Sequence, residues 1–159
     1  MDNEKLIIAN CSGFFGDRFS AAQEMVQGGP IHFLTGDYLA ELTMAILLRK
    51  QFKDPNAGYV TTFLKQMEVV MGECLDRRIK VVANAGGLNP ASLAKELEKV
   101  AGSLGLHPKI AYIEGDNLMQ RLQDLQDKGE PFTHMDKGIP LKDAGAQTIS
   151  ANAYLGCWG

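Results

Sequence analysis

The sequence predicts an α/β protein with a mostly parallel sheet, and three observations support this prediction. Short apolar segments of β type recur along the chain, and most of them are followed by a segment with helical periodicity. Glycine, proline, asparagine or aspartate mark the boundaries between these segments. The length of 159 residues and the hydrophobic fraction of 45% suffice for one domain with a real core.

The first half of the chain contains two predicted strands and three predicted helices. Residues 5–10 form the first strand candidate, and a helical pattern from residue 19 to about 27 ends at two glycines and a proline. Residues 31–35 form the second strand candidate. A helix packed on the core is predicted from the helical spacing of the apolar residues Tyr38, Leu39, Leu42, Ala45, Ile46 and Leu48. A long amphipathic segment over residues 59–78 predicts the third helix.

The second half repeats the alternation. Residues 81–83 are a short β-type segment, and a helix is predicted over residues 88–104, where a glycine ends it. Residues 109–113 form a fourth strand candidate, and a helix follows over about residues 118–127. A final strand is predicted at residues 148–154.

This alternation predicts a Rossmann-like or flavodoxin-like three-layer sandwich of about five strands with helices on both faces. Residues 1–159 are predicted to form a single domain. Residues 130–146 form a long loop, of the kind that acts as a lid or becomes ordered against a partner. The end of the chain is apolar, with Tyr154, Leu155 and Trp158, although chain termini are usually polar. We therefore expect the N-terminal part of a longer protein, or a subunit whose tail packs on a partner.

Composition narrows the range of functions. The net charge of −3 and the pI near 5.6 argue against binding to nucleic acid or to an anionic membrane surface. The chain start lacks the pattern of a signal peptide, so a cytoplasmic location is expected. The three cysteines are far apart and include no CxxC pair, which indicates neither a disulfide framework nor a zinc site.

The boundaries after several predicted strands share a glycine followed by aspartate, as in Gly36-Asp37 and Gly115-Asp116. Such aspartates are common helix N-caps, each worth about 1 kcal/mol. The strand ends of a parallel sheet also lie at one edge, where ligands bind at the point of reversal in strand order. Both interpretations remain open for each boundary. The candidates for acid/base function are Asp37, Glu41 and Asp116.

Residues 81–94 are the most informative of these boundaries. The strand ends at Asn84, whose amide can hydrogen-bond a bound oxygen. Gly86 and Gly87 can adopt positive φ and allow close approach to the main chain. Asn89 is a predicted N-cap with proline at the next position, and the helix that follows begins with unpaired N–H groups. We expect this segment to supply the backbone of a binding site.

The loop after the first strand is a second candidate site. Ser12 supplies a hydroxyl, Gly13 and Gly16 relax the backbone, and Arg18 can bind a phosphate or carboxylate in bidentate fashion. The loop lacks the dinucleotide-binding and P-loop fingerprints, and a purely structural turn is the alternative. The other predicted ligand-binding residues are Asn10, Asp17, Glu114 and Asn152.

No metal site is predicted, because no histidine pair has the spacing of metal ligands. The clustered carboxylates still have the chemistry to hold Mg²⁺ through water molecules. The cofactor is left unknown.

Six ordered segments together resemble the acyclic terpene utilisation AtuA family over nearly the whole chain. They are ANCSGFFGDR at residues 9–18, FLTGDYLAE at 33–41, GYVTTF at 58–63, VANAGGLNP at 82–90, IEGD at 113–116 and ANAYLG at 151–156. The resemblance implies a cytoplasmic protein linked to catabolism of citronellol-like terpenes, whose intermediates are carried as CoA thioesters. Family members are usually several hundred residues long, so this chain resembles their N-terminal domain. The resemblance brings no catalytic residues with it.

Two functions from different classes are therefore expected. The first is a catabolic enzyme, or its binding domain, acting on a small carboxylate or an acyl-CoA. The second is a non-catalytic ligand-binding or assembly domain whose apolar tail packs on a partner chain. Either function is compatible with a homo-oligomer or with completion by a C-terminal domain.

Overall fold

A computed structural model describes residues 5–145 and 147–156, in two compact units that divide between Tyr112 and Ile113. The strands of the first unit are β1 (Ile8–Asn10), β2 (Phe33–Gly36) and β3 (Lys80–Ala83). Its helices are α1 (Ala21–Gln27), α2 (Glu41–Gln51), α3 (Thr61–Asp76) and α4 (Pro90–Ser103). The second unit contains α5 (Leu122–Asp127) and two 3₁₀ turns, Met119–Arg121 and Leu141–Asp143.

The three strands form one parallel sheet in the order β1-β2-β3. Leu34 in the central strand lies opposite Ala9 on one side and Val81 on the other. Both crossovers move in the same direction across the sheet. Because such crossovers are right-handed, their helices must lie on the same face. In agreement, α1 packs on β1, β2 and α3, and α3 packs on α4.

The two faces of the sheet differ sharply in exposure. Leu34 is fully buried beneath the helices. On the opposite face, Ile8 and Val82 are each 58% exposed, and the ammonium of Lys80 lies 5.6 Å from the ring centre of Phe33. The α/β class and the parallel sheet are confirmed. The prediction of helices on both faces is corrected by this exposed face.

The prediction of about five strands is also corrected, since the described residues form a sheet of three. Residues 109–113 have no ladder, and Tyr112 and Ile113 are exposed. Residues 148–154 contribute only an isolated antiparallel bridge between Asn117 and Asn152. An apolar β-type segment forms a strand only when a neighbour pairs with its backbone and packs on its side chains. Sequence pattern identifies the segment and leaves its partner unspecified.

The core of the first unit lies between the sheet and its helices. In α3 the side chains of Phe63, Met67, Val70, Met71 and Cys74 are buried at helical spacing, as predicted. The side chain of Asn89 caps α4 by accepting a hydrogen bond from the Ser92 N–H at 3.2 Å, and Pro90 takes the first position. The largest fully buried side chains are Tyr38, Leu34, Leu47, Val26, Val60 and Val70.

The second helix differs from the sequence prediction in start and in face. It begins at Glu41, whereas Tyr38 lies in the segment between β2 and α2 and buries its ring. Leu42 was expected on the core side, yet it is 73% exposed. The helix instead buries Thr43, Met44, Leu47 and Leu48. Periodicity alone was ambiguous here because apolar residues occur on most sides of this short helix.

The second unit has no fully buried residue among those that the structure describes. Backbone hydrogen bonds join its two ends, from Leu118 N–H to Ala151 O and from Ala153 N–H to Asp116 O, each 2.8 Å long. The loop that the structure describes over residues 130–145 contains internal backbone hydrogen bonds, for example from the His134 N–H to Ile139 O. Its proposed lid function stays a prediction. Within the described part of the chain, every helix is too short or too polar to cross a membrane.

Helix α3 is followed by a non-glycine residue with positive φ. Arg78 follows the C-cap with φ of 57°, a left-handed conformation that glycine adopts more easily. The Ile79 N–H donates to Cys74 O at 2.8 Å and the Arg78 N–H to Leu75 O at 3.1 Å, which is the Schellman pattern of helix ends.

We expect Arg78→Gly to stabilise the protein by about 1 kcal/mol relative to Arg78→Ala, because both remove the side chain and only alanine keeps a Cβ at positive φ. Urea denaturation of both variants measures the difference. Equal midpoints would contradict this account of the helix end.

Candidate functional site

Polar side chains from the ends of all three strands meet at one edge of the sheet. Asn10 ends β1, Asp37 follows β2, and Asn84 follows β3. All three are exposed. The Thr35 hydroxyl donates to Asn10 Oδ1 at 3.2 Å, which links the ends of β1 and β2. This is the edge where the sequence predicted ligand-binding groups.

Asn84 connects the ends of β2 and β3 through both atoms of its amide. Its Nδ2 donates to Asp37 Oδ1 at 2.6 Å, and its Oδ1 accepts from the Tyr38 N–H at 2.8 Å. The Leu39 N–H approaches the same Asp37 oxygen at 3.3 Å. One carboxylate oxygen of Asp37 is thereby held in place, so an exposed acid is oriented by the fold.

The loop after β1 is attached to the same edge through Ser12. The Ser12 carbonyl accepts from Asn10 Nδ2 at 2.8 Å and from the Asp37 N–H at 3.0 Å. Ser12 is only 2% exposed, and its hydroxyl donates to Phe14 O at 3.1 Å. Ser12 therefore has a structural function, because its carbonyl links the end of β1 to the residue that follows β2.

The Asp17 carboxylate accepts hydrogen bonds from the backbone of its own loop. Its Oδ2 accepts from the Gly13 N–H at 2.9 Å and its Oδ1 from the Arg18 N–H at 2.6 Å. These backbone hydrogen bonds, first the one from Gly13, lower the pKa of the Asp17 carboxyl below its ordinary value. The turn also requires Gly16 at φ of 96°. Asp17 is consequently ionised at neutral pH.

Arg18 is already paired. Its Nη2 lies 2.7 Å from Glu24 Oε2, and Glu24 Oε1 accepts from the Ser20 hydroxyl at 2.7 Å. The two charged side chains are 63% and 46% exposed. Their ion pair therefore contributes little to the stability of the protein, as exposed ion pairs generally do. Glu24 was not predicted, since nothing in its local sequence pattern distinguishes it from other residues on the surface of a helix.

A cavity of about 250 Å³ lies beside this loop. Five residues predicted to bind a ligand line it, together with three that were not predicted. The predicted residues are Asn10, Ser12, Gly13, Asp17 and Arg18, and the others are Cys11, Ala21 and Met25.

A buried polar network lies beneath the edge. The Tyr38 hydroxyl donates to Gln66 Oε1 at 2.5 Å and lies 3.7 Å from Cys11 Sγ. Gln66 Nε2 donates in turn to Phe19 O at 3.3 Å. Burial raises the pKa of the Cys11 thiol and raises that of Tyr38 far more. Neutral, buried groups of this kind suit a structural role better than a nucleophilic one.

Neither Tyr38 nor Gln66 was predicted to take part in a polar network. The available signal was the position of Gln66, a polar residue three residues after Phe63 and four before Val70 on the buried side of α3. A buried glutamine requires partners, and a tyrosine hydroxyl is one of the few groups able to supply them.

The glycines of the β3–α4 turn contact the protein itself. A Cβ on Gly86 would lie 2.7 Å from Pro90 Cβ. A Cβ on Gly87 would lie 2.5 Å from Leu47 Cδ1 and 2.8 Å from Gly58 O. Asn89 also donates from Nδ2 to Ala57 O at 3.0 Å. Packing thus explains the residue types here, and ligand binding by this turn stays a prediction.

The remaining predicted site residues belong to α2 and to the second unit. Glu41 is the exposed first residue of α2. Glu114, Asp116 and Asn152 belong to the second unit, where Asn152 Nδ2 donates to Asp116 Oδ2 at 3.5 Å. Within the described residues, no group of three histidine, cysteine or acidic side chains is arranged to hold a metal ion.

Comparison with known proteins identifies a family. A family model described as "Acyclic terpene utilisation family protein AtuA" matches residues 6–159. Neither the curated proteins nor the solved structures include a significant match to the chain.

We expect Asn84→Asp to destabilise the protein at pH 7 by about 1 to 3 kcal/mol, because the introduced carboxylate would face Asp37 Oδ1 where an amide now donates. Repulsion raises the folded-state pKa of the carboxyl pair above its unfolded value of about 4. The penalty is therefore present at neutral pH and disappears as the pH falls through that raised pKa.

Urea denaturation at pH 7 and at pH 4 tests this sign. The matched control is the exchange Asp37→Asn with Asn84→Asp, which keeps one amide and one carboxylate and should recover most of the stability. A penalty that is equal at both pH values, or that persists in the exchanged pair, would contradict the assigned hydrogen bond.

Proposed function

This chain belongs to the acyclic terpene utilisation family AtuA, and on that premise we propose that it is a catabolic enzyme, or its binding domain, acting on a small carboxylate or an acyl-CoA. The family places the chain in the context of terpene utilisation, of which citronellol and geraniol are the proposed starting compounds. A cytoplasmic location is proposed with it.

One observation carries this proposal: Asn84 holds Asp37 at the edge where the three strands end. An exposed carboxylate whose orientation is fixed by a hydrogen bond can accept a proton from a bound ligand. Open parallel sheets bind their ligands at this edge. The nearby cavity supplies space next to it, lined by Asn10, Asp17 and Arg18.

We assign the acid/base function to Asp37, with Asn84 as its positioning residue. Arg18 is the proposed partner of an anionic group, with Gly13 and Gly16 shaping its loop. Glu41 and Asp116 remain proposed acid/base residues, and Ser12, Gly86, Gly87, Asn89, Glu114 and Asn152 remain proposed contributors to ligand binding. Residues 1–159 are proposed to form a single domain, with residues 130–146 as a lid.

A specific observation also favours the alternative of an assembly domain. The exposed sheet face carries Ile8 and Val82, and Leu155 in the tail is exposed as well. Parallel sheets are usually covered on both faces, so a partner chain or a further domain is a reasonable complement. Trp158 of the predicted apolar tail lies outside the described residues.

We expect Asp37→Asn to strengthen binding of a small carboxylate or acyl-CoA probe by about fivefold, because it removes an exposed carboxylate that repels the anionic probe by about 1 kcal/mol. Calorimetric titration with hexanoate and with hexanoyl-CoA measures the affinity. NMR amide shifts of Asn10, Asp37 and Asn84 locate the site.

Asp76→Asn is the matched control, because Asp76 is an exposed aspartate at the far end of α3 and should leave binding unchanged. Amide shifts confined to other parts of the chain, or equal gains in affinity in both variants, would contradict the proposed site.

A further inference from the structure

Helix α2 has apolar side chains on two opposite sides. Its inner side packs into the protein, where Leu47 is fully buried. Its outer side carries Leu42, which is 73% exposed, and one helical turn later the exposed Ala45 and the partly exposed Ile46. With Arg49, one turn further along, these residues form the outer stripe of α2. A surface helix of a single domain usually has one apolar side, so the second apolar side indicates contact with a partner.

The two ends of α2 carry opposite charges. Glu41 is its first residue, and Arg49 and Lys50 lie in its last turn. The ammonium of Lys50 lies over the Phe15 ring, 5.2 Å from the ring centre. Glu41 and Arg49 are exposed, and neither forms an ion pair with any residue that the structure describes. Two opposite charges are thus available to a partner at the ends of the outer stripe.

The outer stripe is complementary to itself when two copies of α2 run antiparallel. A two-fold axis between Ala45 and Ile46 places Leu42 of one copy opposite Arg49 of the other, because both residues are equally far from the axis. The arginine stem can then cover the leucine while its guanidinium reaches Glu41 of the facing helix. The small Ala45 at the centre allows the helices to approach closely. A parallel alignment would instead bring like charges together, so charge selects the antiparallel second copy.

We propose that two copies of this chain associate through the outer stripes of their α2 helices, packed antiparallel about a two-fold axis. This interface is separate from the exposed sheet face and from the tail, and it does not depend on the proposed function. Two short helices bury less than the about 1,200 Å² of the smallest standard interfaces, so the dimer should be weak and concentration-dependent. Because α2 begins shortly after Asp37, the second copy would border the edge where the strands end.

Sedimentation velocity of the full chain between about 5 µM and about 500 µM tests the association. The natural sequence should be mostly monomeric at the low concentration and mostly dimeric at the high one. Ala45→Glu places two carboxylates beside the two-fold axis and should raise the dissociation constant of the dimer about 10-fold or more. Its thermal unfolding at the low concentration should match that of the unchanged chain, since residue 45 is exposed.

Charge reversal identifies the pairing across the interface. Arg49→Glu or Glu41→Arg alone changes two attractions into two repulsions, because each substitution occurs in both copies, and should weaken the dimer about fivefold or more. The double variant Glu41→Arg with Arg49→Glu restores opposite charges and should recover most of the affinity. The matched control is Lys95→Glu, which makes the same change in net charge at an exposed position of α4 and should leave the association unchanged.

Other outcomes would overturn the proposal. A chain that stays monomeric at every concentration would leave the outer stripe to a partner of another kind. A dimer that survives Ala45→Glu but is lost in Val82→Lys would use the exposed sheet face instead. Equal weakening in Arg49→Glu and Lys95→Glu, or no recovery in the double variant, would show a general charge effect in place of the antiparallel pairing.

Discussion

The architecture of the first unit depends on the handedness of its two crossovers. Because the order β1-β2-β3 advances in one direction, right-handed connections place α1 and α3 on a single face. This constraint has two consequences for the molecule. One face of the sheet receives the whole core, including Leu34, while the other keeps Ile8 and Val82 exposed. The ends of all three strands also point to the same edge.

That edge is organised by few but specific hydrogen bonds. Asn84 joins the ends of β2 and β3, and the Ser12 carbonyl joins the loop after β1 to both Asn10 and Asp37. These bonds are formed among groups that are already ordered by the strands, so their entropic cost is largely met by folding of the sheet. The acidic group in the centre is therefore placed by the backbone, and its neighbours need little rearrangement to receive a ligand.

The sequence predicted the local elements well because their signals are local. The cap at Asn89, the buried side of α3 and the gathering of Asn10, Asp37 and Asn84 at one edge all follow from spacing and strand direction. The failures concern partners. Residues 109–113 resemble a strand but lack a neighbour, and Leu42 has helical spacing but faces solvent. Neither the pairing of Arg18 with Glu24 nor that of Tyr38 with Gln66 has a local pattern, since both depend on side chains meeting in space.

The network of Cys11, Tyr38 and Gln66 has an implication for how this sequence can change over evolution. Cys11 directly follows β1, Tyr38 lies between β2 and α2, and Gln66 lies in α3, where its side chain also donates to the carbonyl of Phe19. Loss of the Tyr38 hydroxyl would leave the buried Gln66 oxygen without its hydrogen-bond donor. Loss of the Gln66 side chain would likewise leave the buried hydroxyl without its acceptor. Substitutions at these three positions should therefore occur together in members of the family. Covariation among the positions would show that the buried contact is retained.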